Sequence, residues 1–373
     1  MKCARALPNR AQHGRVRRDA TPPDASSRPD VVLMHLSVLG AGAVGPAAAA
    51  LAASRGHTVT LWSPRGGGTH GIGAHLHSLG VLEGTARIAV AVDIGRALAA
   101  AQAVLVAVPA HALGPVLRRV APLLPAGVPV LLAPSHSLAP LLLARLLAQR
   151  EVAVPIAAMA APPWTAQRVG PETVRIQALA TRTDLAAVPA EAAPELARLT
   201  AALFGVPIRP VPSLLSVLLA AHEPVRQAAL ALGNITRIEH AEDWDSLAQT
   251  TPAIARLMQG LDAERRALAE ACGMAVPTLA EALAAAHGIP PGALTGMARR
   301  LAALGPAPGP RGLDAAHLAE SVPYGLGLWL RIAARRGVPM PLTAAAVAVL
   351  ETLWGTRLSA DDLAQDADIT ALG

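Results

Sequence analysis

Lysine is all but absent from the 373 residues: Lys2 is the only one, and arginine carries the basic charge everywhere else. Proton transfer by a lysine of lowered pKa is therefore excluded from everything beyond the first few residues. Cysteine is nearly as scarce. Cys3 lies in a charged N-terminal stretch and Cys272 in a helical pattern, so no disulfide framework is implied and a reducing, cytoplasmic setting is the expectation. Phe204 and Tyr324 are the sole residues of their kinds, so the apolar 53% of the chain rests on alanine, leucine and valine. Long apolar runs are missing too. The best stretch, Ala97 to Leu117, is interrupted by Gln102, Pro109 and His111 and falls short of the ~20 residues a membrane span needs. It reads as a strand followed by a helix, and no membrane association is expected.

The net charge of +6 is unevenly spread. Lys2, Arg5, Arg10, Arg15, Arg17, Arg18 and Arg28 outnumber Asp19, Asp24 and Asp30 in the first thirty residues, and the remainder is close to neutral. A basic face for nucleic acid is not implied. Residues 1–30 show no apolar periodicity and no signal-peptide run, and read as a disordered basic tail.

What is present begins at residue 31. Short apolar strands (His35 to Leu39, Thr58 to Trp62, Ala103 to Val108, Val128 to Leu132, Val154 to Met159, Glu172 to Ala180) alternate with helical stretches, and Leu76 to Val92 alternates like strand. This pattern argues for a mostly parallel, doubly wound α/β (Rossmann) domain over 31–212. From Ser213 onward the periodicity is helical, over Leu214 to Ala231, Ile254 to Ala271, Thr278 to Ala286, Ala315 to Arg336 and Thr343 to Trp354. The expectation is an all-α domain over 213–373.

The turn Gly40-Ala41-Gly42-Ala43-Val44-Gly45 follows the first strand directly and precedes an alanine-rich helix, inside a strand–helix–strand unit of about ~30 residues. In that setting it is a dinucleotide site. Gly40 permits the tight turn, Gly42 lets backbone approach the pyrophosphate, Gly45 lets helix and sheet pack, and the helix N-terminus faces the phosphates. An NAD site usually carries an acid at the end of the second strand. Here Ser63 and Arg65 stand there, and no acid occurs before Glu83. A hydroxyl and a guanidinium suit a 2′-phosphate, so NADP is expected, with NAD as the alternative. Pro109, at the end of the Ala103 strand, borders the same cleft. No metal site is expected: His240, Glu242 and Asp243, like His70, His75 and His77, show no ligand spacing.

The segments Asn234-Ile235-Thr236-Arg237-Ile238-Glu239-His240-Ala241-Glu242-Asp243-Trp244, Leu261-Asp262-Ala263-Glu264-Arg265, Glu320-Ser321-Val322-Pro323-Tyr324-Gly325-Leu326 and Gly337-Val338-Pro339-Met340-Pro341 resemble, in order and spacing, the octopine/nopaline (opine) dehydrogenases. The resemblance implies reductive condensation of an amino acid with a 2-oxo acid, using a nicotinamide cofactor and a histidine–aspartate acid/base pair. It also implies an asparagine and an arginine that bind substrate. Aligned on these anchors, the family's Asn-Pro-x-x-His falls on Glu223-Pro224-Val225-Arg226-Gln227, its aspartate on Ser321 and its arginine on Ala316. Glutamine exchanges no proton near neutrality. His222 and Glu320 are the remaining candidates for the proton-transfer pair, provided the helix starts at Pro224 and leaves His222 on the loop before it. Without that start, His222 is an ordinary helix-start residue.

Three readings follow. The first is an NADP-dependent oxidoreductase of opine-dehydrogenase type acting on small amino-acid and 2-oxo-acid substrates, with a homodimer left open. The second is a catalytically impaired NADP(H)-binding pseudoenzyme. The third, a 2-oxo-acid reductase relying on lysine, is disfavoured by the missing lysine.

Overall fold

The computed structural model describes residues 32–135, 137–312, 316–355, 357, 358, 363 and 372, with the side chains of 316–318 left aside. The tail expected over 1–30, and the side chains of Ala316 and His317, lie outside what is described.

Strands β1 (His35–Leu39), β2 (Thr58–Trp62), β3 (His75–Gly80), β4 (Gly84–Arg87) and β5 (Ala89–Val90) surround the first helix, α1 (Val44–Ser54). There follow α2 (Ile94–Leu98), β6 (Ala103–Val106), α3 (Ala110–Val120), β7 (Val130–Leu132), α4 (Ala139–Ala148) and β8 (Ile156–Met159). Next come β9 (Trp164–Gly170), β10 (Thr173–Leu179), β11 (Thr183–Val188), α5 (Ala193–Phe204) and β12 (Ile208–Pro210). The main sheet has the order β12-β11-β8-β7-β6-β1-β2-β5. Its central strands pair in parallel, and β6, β7 and β8 are buried at every residue. Covered on both faces, they need apolar side chains without alternation. From β1 the chain runs outward to β2 and then returns to β6 on the other side, so a crevice opens at the carboxyl ends of β1 and β6.

Two features depart from a single parallel sheet. Strand β11 pairs antiparallel with β8. Residues 75–87 and 164–179 form a second sheet, β4-β3-β10-β9: the strand character expected at Leu76 to Val92 and Glu172 to Ala180 is present but belongs largely to this separate sheet, and β9 was not expected. This small sheet explains the composition of α1. The helix contacts β2 on one side and β3, β4, β9 and β10 on the other. Gly45 through Ala52 are consecutively buried, so α1 has no polar face to show.

The helical half comprises α6 (Leu214–Ala220), α7 (Glu223–Gly233), α8 (Ile235–Glu239), α9 (Pro252–Ala271), α10 (Leu279–His287), α11 (Leu294–Leu304), α12 (Ala316–Ser321), α13 (Leu328–Arg336) and α14 (Pro341–Trp354). Two expected continuous helices are broken. Leu214 to Ala231 divides at Ala221-His222, where Ala221 is extended (ψ 125°) and Pro224 opens the next helix. Proline fits best in a helix's first turn, where its missing N–H leaves no bond unmade. The carbonyls freed at the end of α6 are paired: Trp329 Nε1 donates to Leu218 O at 3.1 Å, and the buried Arg265 donates to Leu219 O. Arg265 also binds Asp262 (2.6 Å) and Pro277 O (2.6 Å), tying α9 to α6 and to the loop before α10. The second break is a π-helical turn, Val322–Gly327, between α12 and α13. Gly325 there lies against the first turn of α7, where a Cβ would stand 2.3 Å from Pro224 Cγ. The helical core takes in Leu138, Ala158 and Ala186 from the sheet half, so the described residues from Leu33 onward form one compact unit.

Candidate functional site

The glycine turn occupies the crevice between β1 and β6. Gly40 has φ +129°, outside the range of ordinary residues, and a Cβ on it would lie 2.2 Å from Ala107 O. A Cβ on Gly45 would lie 1.8 Å from Gly40 O. Both positions are closed by backbone. Gly42 differs: it is exposed, and a Cβ would meet no protein atom within 4 Å. No protein atom fills that space, so backbone at the start of α1 is open to an approaching group. That helix has no side-chain cap and no acid in its first turn, as an anion site requires. Just beyond the neighbouring strands, His111 Nδ1 and Ser135 Oγ are buried without hydrogen-bond partners among the described residues. The turn and its rim therefore fit a phosphate-bearing dinucleotide.

Ser63 is half-buried and Arg65 exposed, in the loop that follows β2. Arg119, reaching from α3, stacks over the Trp62 ring at 5.1 Å and donates to Pro64 O at 3.4 Å. Arg168 on β9 was not singled out from the sequence. It donates to Ala41 O at 2.5 Å, to Gly170 O at 3.2 Å and to Gly68 and Pro171 carbonyls, joining the glycine turn to the loop after β2. Burial holds its pKa below the usual guanidinium value. No local signal marks it, because Ala41 and Gly68, the partners it joins, are distant from it in sequence.

A cavity of about 560 Å³ opens from the first residue of α1, Val44, toward the helical half. His222, Glu223, Arg226 and Gln227 line it from α7 and the residue before it, and His287 from α10. The break before Pro224 thus does put His222 on the cleft, as N-cap of α7. Glu320 is not its partner, contrary to expectation. The carboxylate beside His222 is Glu223, with Nε2 and Oε1 3.6 Å apart. Glu320 is absent from the cavity wall; its Oε1 accepts the N–H of Ala110, the first residue of α3 after Pro109. The long sequence separation of Glu320 and Ala110 hid this pairing.

The charges divide into two groups. Burial would raise the Glu223 carboxyl, but Arg226, then His222, and the hydrogen bonds from Arg226 and Gln227 outweigh it and bring the pKa to about 2. Arg226 binds Glu223 through Nε (3.1 and 3.2 Å) and Nη2 (2.7 Å), and Gln227 Nε2 donates to it at 3.3 Å. Burial lowers His222 to about 4 despite Glu223, and also lowers His287, so both rings are neutral near pH 7. Glu320 goes the other way: burial pushes its carboxyl up to about 7, only partly opposed by the Ala110 N–H. Ser321, at the position of the family's aspartate, is buried. Among the described residues no group of three or more His, Cys, Asp or Glu gathers as for a metal, and no helix is long and apolar enough to cross a membrane.

Comparison with known proteins agrees with this layout. Residues 210–353 match the family model of the NAD/NADP octopine/nopaline dehydrogenase alpha-helical domain, and 35–134 match the NAD-dependent glycerol-3-phosphate dehydrogenase N-terminus. No curated protein matches. Among solved structures, octopine dehydrogenase bound to NADH and L-arginine is similar at 16% identity and TM-score 0.67, covering 86% of this chain and 90% of that one. Yersinopine dehydrogenase with NADP+ is similar at 18% identity and TM-score 0.67, covering 91% and 97%. A PanE/ApbA family ketopantoate reductase from Ralstonia eutropha is similar at 22% identity and TM-score 0.59, covering 86% and 99%. These likenesses establish a shared fold.

Proposed function

This chain belongs to the opine dehydrogenase family, and on that premise we propose that it is a nicotinamide-dependent oxidoreductase. It reduces the imine formed between an amino acid and a 2-oxo acid, or a closely related C=N or C=O bond. The observation that carries this reading is the continuity of the glycine turn with the cavity: Val44 belongs to both. When bound, the nicotinamide cofactor supplies the hydride.

The chain's own residues have the following parts. Backbone of Gly40, Ala41, Gly42, Ala43, Val44 and Gly45, with the start of α1, holds the pyrophosphate. Ser63 and Arg65 take the adenosine-side phosphate and favour NADP over NAD, because no acid stands there to repel it. Solved relatives carry NADH in one case and NADP+ in another, so the fold accepts either. Pro109 borders the cofactor at the start of α3. Glu320, off the cavity wall, is a positioning residue: it holds the start of α3 beside Pro109 through the Ala110 N–H, and its carboxyl changes state near neutrality whereas Gln227 cannot. His222, neutral on the cavity wall, accepts a hydrogen bond from the incoming amine.

The test is NADPH oxidation with pairs of amino acids and 2-oxo acids. The expected result is turnover on the order of 1 s⁻¹ or faster for at least one pair. Its pH profile should bend near 7, and the bend should vanish in Glu320→Gln. The replaced pair, Gln227 and Ser321, favours a second reading, a cofactor-binding protein with impaired chemistry. NADPH binding without turnover for any pair would select it.

A further inference from the structure

Glu223 and Arg226 are the only acid and the only arginine among the described residues lining the cavity, and each neutralises the other. His222 and His287 add no charge near pH 7, since burial holds both low. The fixed charge of the cavity is therefore one carboxylate and one guanidinium, one helical turn apart on α7. The guanidinium spends Nε and Nη2 on Glu223, and its Nη1 has no protein acceptor among the described residues. The remaining polar groups on the wall are neutral amides and hydroxyls, such as Gln167, Gln177 and Thr250. Apolar surface comes from Leu230, Met258, Leu283, Leu294 and Leu301.

From this arrangement we propose that the cavity selects an α-amino acid with an uncharged, apolar side chain. Its ammonium would be held by Glu223 and its carboxylate by Nη1 of Arg226. The proposal rests on the oxidoreductase reading for its place in a reaction, but not for the binding itself. A zwitterion matches the pair charge for charge. A substrate bearing a second cation, such as L-arginine, would bring a guanidinium into a cavity with no second carboxylate, and L-glutamate would bring an acid with no second cation. Burying an unpaired charge is strongly unfavourable. The octopine dehydrogenase bound to L-arginine shares the fold, so the difference in selectivity would lie in these lining residues.

The experiment is calorimetric titration of the NADPH-loaded full-length protein with L-phenylalanine, L-leucine, L-arginine, L-glutamate and 3-phenylpropanoate. L-Phenylalanine or L-leucine should bind at least roughly tenfold more tightly than L-arginine or L-glutamate, the scale of one charge-assisted hydrogen bond. Glu223→Gln should weaken L-phenylalanine by a similar factor and leave 3-phenylpropanoate unchanged or tighter, since Arg226 loses its competitor. Arg226→Gln should weaken both. Equal or tighter binding of L-arginine or L-glutamate, or no binding of any amino acid, overturns the proposal; the wild-type panel decides this even if a variant misfolds. Turnover confined to L-arginine or L-glutamate overturns it and leaves the oxidoreductase reading standing. L-Phenylalanine binding without turnover upholds it and counts against that reading instead.

Discussion

The two sides of the cleft are built from different materials. The glycine-turn side is backbone: its shape depends on which Cβ atoms are missing, at Gly40 and Gly45 because backbone presses on them and at Gly42 because space is left in front of α1. The α7 side is side chain: a carboxylate, a guanidinium, an amide and two imidazoles on a helical wall. Backbone geometry tolerates few residue types, as the close approaches at Gly40 and Gly45 show. A helical wall accepts many side chains without changing shape, and here Glu223 and Gln227 stand where the resemblance implies asparagine and histidine. The segments that carry the resemblance are largely scaffold. Arg265 and Asp262 tie three elements together. Glu264 accepts from Leu342 N (2.8 Å) and Thr343 N (2.8 Å) at the start of α14, and Trp244 Nε1 donates to Pro310 O at 3.0 Å. Fold and reaction are thus carried by separable sets of residues.

The contrast is broken most severely by Gly45→Ala. With backbone 1.8 Å from the new Cβ, the turn has no flexible atom to yield, and a loss of about 3 kcal/mol or more is expected, with cofactor binding abolished. Thermal melting and cofactor fluorescence check it; a variant melting within a few degrees of wild type would show that the turn is not rigid.

Glu320→Gln, which keeps an acceptor for the Ala110 N–H, should remove the bend near pH 7 from the kcat profile while leaving cofactor affinity nearly unchanged. It also has a stability signature. The folded pKa of about 7 lies above the ordinary 4.5, so the fold favours the protonated form. That contribution is complete below about pH 4.5 and is lost as pH rises through 7, amounting to roughly 2–4 kcal/mol. Denaturant titrations from pH 4 to 8 should show this decline in wild type and not in the variant. Glu223 behaves oppositely: its lowered pKa gives stability that is present above 4.5 and lost as pH falls toward 2.

Arg65→Glu should weaken NADPH by roughly 1.5–3 kcal/mol and spare NADH, measured at equal salt; equal losses for both would remove Arg65 from the phosphate. The smallest effect is expected where a side chain works on the backbone-built side. Arg119→Ala removes an exposed stack on Trp62 and should cost about 0.5–1 kcal/mol in thermal or denaturant unfolding.

Much of the cofactor side was readable from the chain: strand, glycine turn and helix are consecutive, and steric demands between near neighbours leave a local pattern. The unbroken alanine of α1 even carried a sign of the second sheet, since a helix with no polar face must be covered on all sides. On the other side only Pro224 left a local mark, the helix start that puts His222 on the cleft.

Sequence alone determined the alternating β/α order, the turn, the helical second half and the absence of a lysine for chemistry, because each depends on residues close together or on simple composition. Tertiary structure decided the rest. It paired 75–87 with 164–179, brought Arg168 to Ala41 O, set Glu320 against Ala110 N and enclosed Glu223 with Arg226. The reason is physical: desolvation and charge pairing depend on which distant residues exclude water from a group, and that is specified only when the chain has packed.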